Sequence, residues 1–389
     1  FFFFVCVIIM VENELSNLHM QLVPRRERLD GRPSVSSFFN KDGLLLKTYG
    51  WLVKNAIGLI VLVHGLNSHA RFSFLRHNVH VLNNDRAILM DGNNYYIYKD
   101  SWIEHFNKNG YSVYGIDLQG HGESEGWQNL SLNVKEFDDL VYDVLAYINR
   151  IQDENMLYLN DNKGNNNSNN NRSDGVPSRN YNITNRKSPL PVYMIGQSMG
   201  GNIVLRVLEL IGKFNGLNKK LNIKGCVSLS GMIAIEALGL PSSDLYNAFF
   251  MPLSKLLSDI VPKLRFLLEL PYKKYNYIRD IGRYDRMRYR RGITCRFTYE
   301  LLRAMVNLEA DMNHMPKDIP ILFIHSLKDK LCYYGGVVSF YNRLNINNKE
   351  LHVLNYMEHM LTMEPGNERV LNKIMNWLYN ISRMRRTHT

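Results

Sequence analysis

A glycine-rich turn within residues 194–205, MIGQSMGGNIVL, places a single hydroxyl where chemistry can occur. An apolar, strand-like run ends at Gly-Gln-Ser-Met-Gly, and an apolar run with helical spacing follows it. This is the setting of the Gly-x-Ser-x-Gly nucleophile elbow, a sharp strand-to-helix turn with a serine at its tip. Gly196 and Gly200 would remove side chains that collide where the backbone reverses. We therefore predict that Ser198 is a nucleophile with an exposed hydroxyl; the alternative is a structural turn with an incidental serine.

A serine hydroxyl needs a base, and one histidine fits that role best. The base is a histidine that a carboxylate holds in place. In chains with this elbow, the order is serine, then acid, then histidine. His359 lies in the loop MEHMLTMEPG after the last predicted strand, whereas His352 lies inside that strand and His388 lies in a basic tail. We predict that His359 is the base.

The acid is expected just after the penultimate strand. Asp329 follows that strand by three residues, whereas Asp318 precedes it and Asp311 lies further from any strand end. We predict Asp329 as the acid, with a solvated loop aspartate as the alternative interpretation. Glu358, beside the predicted base, is expected at the surface.

Two backbone N–H groups are needed to stabilise an oxyanion. One should belong to Met199, the residue after the nucleophile, and the other to the loop after the strand VLVHG. That loop reads HGLNSH, and Leu66 is the predicted donor because it follows the His-Gly turn. We interpret His64 as a buried residue that shapes the loop.

A second polar turn, DLQGHGESEG at residues 117–126, contains His121 and Glu123 among glycines. These two residue types could do acid–base chemistry. However, they follow the wrong strand for the expected order of acid and histidine. We therefore predict a structural turn.

The elements that position these residues alternate between strands and helices. Near-continuous apolar runs are typical of strands that are buried on both faces of a parallel sheet. Helical spacing predicts helices over residues 133–151 and 367–381. This alternation indicates an α/β fold with a mostly parallel sheet covered by helices. The predicted strands are residues 58–65, 111–117, 191–196, 224–231, 319–326 and 350–356.

Two segments interrupt the alternation and divide the chain. Residues 160–187 are rich in Asn and polar, so we predict a disordered loop. Residues 232–317 lack the strand rhythm but contain long apolar helical stretches, which predicts a helical cap over the end of the sheet. The core is then expected in two parts, residues 38–231 and 318–389.

The N-terminal residues 1–37 are predicted to form an extension. Its apolar stretch FFFFVCVIIMV is too short to span a bilayer as an ordinary helix and lacks the basic region of a signal peptide. It is interpreted either as a truncated start or as a clipped anchor or signal remnant. The expected location is cytoplasmic or membrane-associated, with export left open.

The charge and the cysteine content limit the partners and the cellular location that we predict. The chain has 47 Lys and Arg against 36 Asp and Glu, a net charge of +11, which favours anionic partners. It has neither zinc-finger spacing nor an RNA-binding motif, so nucleic acid is not predicted as a partner. Four scattered cysteines without a CxxC pair predict reduced thiols, which suits a cytosolic chain.

Five segments together carry a family resemblance: VLVHGLNSH, GIDLQGHGESEG, GQSMGG, HSLKDKLC and the His359 loop. In this order they resemble the α/β-hydrolases of the monoacylglycerol lipase and lysophospholipase group, also classed as S33 serine aminopeptidase-like hydrolases. The resemblance is strongest to the lysophospholipases of malaria parasites called the PST-A type, and it extends over residues 38–379. One departure is Gln197, where monoacylglycerol lipases usually have His.

The resemblance implies an eight-stranded α/β-hydrolase fold, a helical lid, and hydrolysis of a single-chain acyl ester by Ser198, Asp329 and His359. No metal or cofactor is required, and a monomer is expected. A lysophospholipid or a monoacylglycerol is the expected substrate. The alternatives are an acyl-protein thioesterase, a broad carboxylesterase, or a non-catalytic protein that binds lipid or a partner.

The cap is expected to serve the substrate in two ways. Its apolar helices would enclose an acyl chain, and its arginines would meet a phosphate headgroup or an anionic membrane surface. The alternative for the arginines is a solvated face. They are Arg279, Arg283, Arg286, Arg288, Arg290 and Arg291.

Overall fold

The structure, a computed structural model, describes residues 27–164, 189–214, 216–267 and 272–386. The N-terminal apolar stretch and residues 165–187 of the predicted Asn-rich loop lie outside the described residues. Residues 160–164, which were also predicted to belong to that loop, form the end of a helix. Within the described part of the chain, no helix is long and apolar enough to cross a membrane.

Six strands follow the predicted positions closely, whereas β1, β2 and several short strands were not predicted. In chain order they are β1 (Ser34–Phe39), β2 (Leu45–Trp51), β3 (Gly58–Val63), β4 (Arg76–His77), β5 (Val79–Val81), β6 (Ala87–Leu89), β7 (Tyr96–Ile97), β8 (Tyr111–Ile116), β9 (Val192–Gln197), β10 (Ile223–Leu229), β11 (Arg265–Phe266), β12 (Ile293–Thr294), β13 (Ile321–Ser326) and β14 (Lys349–Leu354).

Eight of these strands form the central sheet, in the order β1-β2-β8-β3-β9-β10-β13-β14. Strand β2 is antiparallel to both of its neighbours. The remaining neighbouring pairs are parallel. The predicted mostly parallel, eight-stranded sheet is confirmed.

Helices connect the parallel strands, as parallel pairing requires. The helix predicted at residues 133–151 begins at Phe137, and the last predicted helix continues to Arg386. The helices are α1 (Ala70–Phe74), α2 (Trp102–Lys108), α3 (Phe137–Gly164), α4 (Met199–Lys213), α5 (Leu217–Leu221), α6 (Met251–Ile260), α7 (Tyr277–Tyr284), α8 (Cys295–Ala310), α9 (Tyr334–Arg343) and α10 (Asn367–Arg386).

The first two strands of the sheet were not predicted from the residues themselves. Strand β1, SVSSFF, lies at the edge of the sheet and is mostly exposed, so it lacks the apolar run that identifies a central strand. The predicted core boundary at residue 38 falls inside β1. The edge strand thus begins within the segment that was assigned to the N-terminal extension.

The core consists of two layers, one on each face of the sheet. Side chains alternate along β3: Leu59 and Val61 join the cluster under α3 and α4, whereas Ile60 and Leu62 join the cluster under α2 and α10. This alternation is the two-residue period of a strand. Burial on both faces explains the continuous apolar runs in the sequence.

The segment between β10 and β13, predicted as a helical cap, contains both helices and a small sheet. A π-helical turn, Tyr246–Phe250, leads into α6, and β11 pairs with β12. Helix α8 packs against α3 and α4 and shares their core cluster. Helix α7 packs on β6, so the segment between α1 and α2 also supports the cap. We use "cap" below for residues 232–317.

Candidate active site

The turn after β9 has the geometry of a nucleophile elbow. Ser198 has φ of 56° and ψ of −119°, a conformation that non-glycine residues rarely adopt. A Cβ on Gly196 would lie 2.1 Å from the carbonyl oxygen of Gly200, and one on Gly200 would lie 2.2 Å from that of Val63. Side chains at both positions would clash with backbone, so the turn requires the two glycines.

Three predicted residues from separate loops meet at this turn. His359 Nε2 lies 3.0 Å from Ser198 Oγ, and His359 Nδ1 lies 2.8 Å from Asp329 Oδ2. In the tautomer that fits both contacts, Nδ1–H donates to Asp329 while Nε2 accepts from the hydroxyl. All three residues are buried. The prediction that the Ser198 hydroxyl is exposed is wrong: the residue is 8% exposed, because the cap covers the end of the sheet.

The carboxylate of Asp329 is oriented by its own loop. Its Oδ1 accepts the N–H groups of Leu331 and Cys332, both at 2.9 Å, which leaves Oδ2 for His359. Burial by itself raises the pKa of Asp329, but the charge of His359 and its hydrogen bond lower that pKa by more, so the net shift is downward. The carboxylate is therefore ionised at neutral pH.

The loop after β3 lies close to the nucleophile. A Cβ on Gly65 would lie 3.0 Å from Ser198 Cβ, and Leu66 lines the same cavity as Ser198. His64 is fully buried, accepts the N–H of Leu118 at Nε2 (3.0 Å) and bonds the carbonyl of Gly65 through Nδ1 (2.8 Å). Burial lowers the pKa of His64 well below its usual value, so it acts as a neutral support for this loop.

The other predicted oxyanion donor, Met199, is the first residue of α4. Backbone N–H groups in the first turn of a helix have no acceptor within the helix. Its side chain is fully buried in the core, which fixes the position of the backbone. Leu66, in the wall of the cavity beside Ser198, and Met199, directly after Ser198 in the chain, stay the predicted oxyanion donors.

The second polar turn does not reach the site. His121 is buried and bonds the carbonyl of Gln119 at 3.0 Å. Glu123 contacts the Tyr49 hydroxyl at 2.6 Å and Arg71 at 2.9 Å. Neither His121 nor Glu123 lines the cavity beside Ser198. Their contacts agree with a structural turn.

A cavity of about 350 Å³ opens beside Ser198 and His359, between the core loops and the cap. Much of its wall is apolar. Part of the cap wall consists of arginines and tyrosines. The apolar side chains are Leu66, Phe72, Leu132, Leu267, Ile278, Ile293, Leu331 and Met360. The arginines are Arg279, Arg283, Arg288 and Arg290, and the tyrosines are Tyr272 and Tyr289.

The model of the family described as serine aminopeptidase, S33, matches residues 92–158 and 179–366, more than half of the chain. The chain belongs to this family of hydrolases. No curated protein matches the sequence significantly.

Solved structures with the same fold include several lipases and esterases. A monoglyceride lipase from Saccharomyces cerevisiae, solved with a substrate analogue, is 17% identical, with a TM-score of 0.62 over 92% of this chain and 99% of that chain. A carboxyl esterase from Bacillus coagulans, solved with glycerol, is 15% identical, with a TM-score of 0.61 over 90% and 98%. A Paleococcus ferrophilus monoacylglycerol lipase is 18% identical, with a TM-score of 0.53 over 90% and 99%. The chain has the α/β-hydrolase fold.

In this S33 hydrolase, two glutamates hold the loop that carries His359. The sequence did not indicate Glu364, and it predicted the wrong position for Glu358. Glu364 accepts the N–H groups of Glu358 and Met360, the latter at 2.7 Å. The prediction that Glu358 lies at the surface is wrong, because it is 7% exposed. Its carboxylate accepts three consecutive cap N–H groups, those of residues 273–275, at 3.0–3.3 Å. The carboxylate thus binds the cap to the His359 loop, a contact between distant segments that no local pattern indicates.

One group of side chains could hold a metal ion. Among the described residues, ligand atoms of Asp329, Cys332 and His359 all lie within 4.8 Å of one another. Asp329 and His359 already bond each other. Burial raises the pKa of the Cys332 thiol well above its usual value, which disfavours the thiolate that binds metals. The donor set therefore fits a hydrogen-bonded acid–base pair better than a metal centre.

Proposed function

We propose that this protein is a serine hydrolase that cleaves the carboxylic ester of a single-chain lipid. The main support for the proposal is the pair of hydrogen bonds that links Ser198 to His359 and His359 to Asp329, beside a largely apolar cavity. A strained serine in contact with a buried histidine, which in turn bonds an ionised carboxylate, is the arrangement of nucleophilic acyl transfer.

In the proposed first step, His359 Nε2 takes the proton of Ser198 while Oγ attacks the ester carbonyl. The oxyanion that forms accepts the N–H groups of Leu66 and Met199; one such donor contributes roughly 3–4 kcal/mol in related hydrolases. His359 then gives its proton to the departing alcohol, leaving an acyl-enzyme. In the second step His359 takes a proton from water as the water oxygen attacks the acyl carbon. The bond from that carbon to Ser198 Oγ then breaks, His359 returns the proton to Oγ, and the carboxylic acid leaves.

The charge that develops on His359 is stabilised by its surroundings. Burial by itself lowers the pKa of His359, but the charge and hydrogen bond of Asp329, with a further contribution from Glu364, raise it by more, so the net shift is upward. Glu364 itself has a pKa raised to about 7 by burial. These carboxylates favour the imidazolium that the reaction transiently forms.

The apolar cavity wall supports a lipid as the acyl donor. The fold is shared with monoglyceride lipases and a carboxyl esterase. A lysophospholipid and a monoacylglycerol are both candidate substrates, and the resemblance to the lysophospholipases of malaria parasites favours the former. A broad carboxylesterase and an acyl-protein thioesterase are the alternatives with the same chemistry.

Two other functions are less well supported. An aminopeptidase needs carboxylates to bind the free amine of its substrate, but no Asp or Glu is among the described residues that line the cavity. A non-catalytic protein that binds lipid or a partner would not need the Ser198–His359 contact or the strained turn.

We also propose that the cap contacts an anionic membrane surface. Leu245, Phe249, Leu253, Leu256 and Ile260 are 43–68% exposed and recur every three or four residues, which places them on one helical face. The exposed apolar side chains continue through Leu264 and Phe266 to Leu267, which lines the cavity. Exposed cap arginines supply the matching charge. A substrate would then pass from the membrane to Ser198 along apolar surface.

The proposal is tested with a fluorophosphonate probe, which labels activated serines. We expect wild-type protein to be labelled and Ser198→Ala to be unlabelled with an unchanged fold. Ser73→Ala is the matched control, because Ser73 lines the same cavity but bonds Ser68 and not a histidine. Equal labelling of wild type and Ser198→Ala, or rapid turnover of a short acyl ester by Ser198→Ala, would refute the mechanism.

A further inference from the structure

The cavity beside Ser198 is positively charged on its cap side. Four arginines line it, and the described lining residues include no Asp or Glu. We propose that these arginines bind an anionic group of the substrate, so that the enzyme selects single-chain esters with a negative charge over neutral ones. This inference rests on the proposed ester hydrolase activity and adds the charge of the substrate to it.

Arg288 is the least exposed of the four cavity arginines. Its Nε donates to the carbonyl oxygen of Asn67 at 2.7 Å, and its guanidinium lies 4.9 Å from the ring centroid of Phe72. Asn67 belongs to the loop in which Gly65 approaches Ser198. A guanidinium has five N–H donors, and the contact with Asn67 uses one of them. The side chain is therefore positioned near the reacting centre with donors left for a ligand.

The carboxylates nearest to Arg288 in the sequence bond other groups. Asp280 pairs with Arg283 at 3.5 Å. Asp285 is fully buried and bonds His69 at 2.8 Å and the Tyr96 hydroxyl at 3.1 Å. Burial by itself raises the pKa of Asp285, but the hydrogen bond and charge of His69, with the N–H of Met287, lower it to about 2, so its charge is committed to these neighbours. Among the described residues no carboxylate forms an ion pair with Arg288, so a substrate anion would supply its counter-charge.

The other cavity arginines extend the positive surface outward. Arg283 is 72% exposed, and Arg290 donates to the carbonyl oxygen of Arg283. Arg279 is exposed as well, although it donates to the carbonyl oxygen of Tyr272 at 3.3 Å. An anion that enters the cavity would meet Arg283 and Arg290 first and Arg288 last. Such an arrangement attracts anionic ligands and repels cationic ones.

Phosphate and carboxylate share the chemistry that a guanidinium recognises, since both can accept two parallel N–H groups. The substrate class is accordingly a single-chain ester with a phosphate or a carboxylate close to the ester bond. Three esters with the same acyl chain, one neutral, one with a phosphate and one with a carboxylate, distinguish these two anions.

The test uses full-length protein and three soluble octanoyl esters: 1-octanoylglycerol, 1-octanoylglycerol 3-phosphate and the octanoyl ester of glyceric acid. We expect the ratio of kcat/KM for an anionic ester to that for the neutral ester to fall at least about tenfold in Arg288→Gln, the loss expected for a charge-assisted hydrogen bond. The double variant Arg283→Gln/Arg290→Gln should lower the same ratio. A larger loss for the phosphate ester identifies phosphate, and a larger loss for the glycerate ester identifies carboxylate.

Arg286→Gln/Arg291→Gln is the matched control, because both residues are exposed in the same segment and neither lines the cavity. It removes the same charge as the double cavity variant, and its ratio should be unchanged. An equal fall in this control, or a wild-type enzyme that hydrolyses the neutral ester as well as the anionic ones, overturns the inference.

Binding to Ser198→Ala, measured by calorimetry, separates this inference from the proposed reaction. We expect the intact anionic ester to bind this variant at least about tenfold more tightly than the neutral ester, and the difference to disappear when Arg288→Gln is added. If wild type hydrolyses none of the esters, this binding result still decides whether the anion site exists. Equal binding of charged and neutral esters refutes it.

Discussion

The ionisation of His359 controls the proposed reaction. The pKa of His359 lies above its usual value because the charge and hydrogen bond of Asp329 outweigh the effect of burial. Only the neutral imidazole can accept the proton of Ser198. The value of kcat/KM should therefore rise with pH through this raised pKa and then reach a plateau.

Asp329→Asn tests this coupling. The substitution removes the charge that raises the pKa of His359, so the midpoint of the pH profile should move to lower pH. The plateau should also fall by about 10⁴, the loss seen when the same change is made in a serine protease. The measurement is kcat/KM against pH for a short neutral ester. Asp318→Asn, at an exposed position before the same strand, is the control, and an unchanged midpoint in Asp329→Asn would contradict the assignment.

At the scale of elements, α6 and the turn before it present an apolar face to solvent. A helix in a globular protein usually buries such a face against the core. Here Phe249, Leu253 and Ile260 are 54%, 43% and 68% exposed. Exposed apolar surface of this kind is typical of a site that contacts another molecule or a membrane.

The variant Leu253→Glu/Ile260→Glu should reduce binding to anionic vesicles, because each glutamate removes apolar contact and is repelled by the surface. We expect at least about a tenfold weaker association in a vesicle co-sedimentation assay at low salt. Hydrolysis of a soluble short ester should be unaffected, since neither residue lines the cavity. Leu52→Glu, at a 58% exposed position outside the cap, is the control. Unchanged vesicle binding would show that this face does not contact the membrane.

At the scale of the whole molecule, Arg206 joins three segments beneath the sheet. It is 5% exposed and contacts Asp138 on α3, Glu209 on α4 and Asp311 after α8. Burial raises the pKa of Glu209 to about 8, although Arg206 opposes that shift. The arginine thus compensates one buried and two partly buried carboxylates that connect the core with the end of the cap.

Arg206→Met should destabilise the protein by about 3–5 kcal/mol, because it leaves Glu209 and Asp138 without this partner, whereas Asp311 keeps Lys213. The free energy of unfolding in urea measures this loss. Arg150→Met, which breaks an exposed pair with Glu154, is the control and should cost no more than about 1 kcal/mol. A small effect of Arg206→Met would show that the carboxylates are protonated or otherwise solvated.

The elements with a clear local sequence pattern could be predicted from the sequence. Strands β3, β8, β9, β10 and β13 are continuous apolar runs, and that pattern arises because both faces of a central strand are buried. Edge strand β1 was missed for the same reason, since its exposed residues lack this pattern. The elbow was predictable because its glycines are needed within one turn of chain.

Chain order and the positions of the strand ends predicted only part of the candidate site. Ser198, Asp329 and His359 each lie at the end of a strand, so sequence position suffices to select them. The burial of Glu358, the support by Glu364 and the projection of Arg288 into the cavity depend on which distant segments pack together. Such contacts have no local period or motif. The sequence by itself therefore determined the residues proposed for the chemistry, whereas the tertiary structure decided how the cap encloses them and which charge faces the substrate.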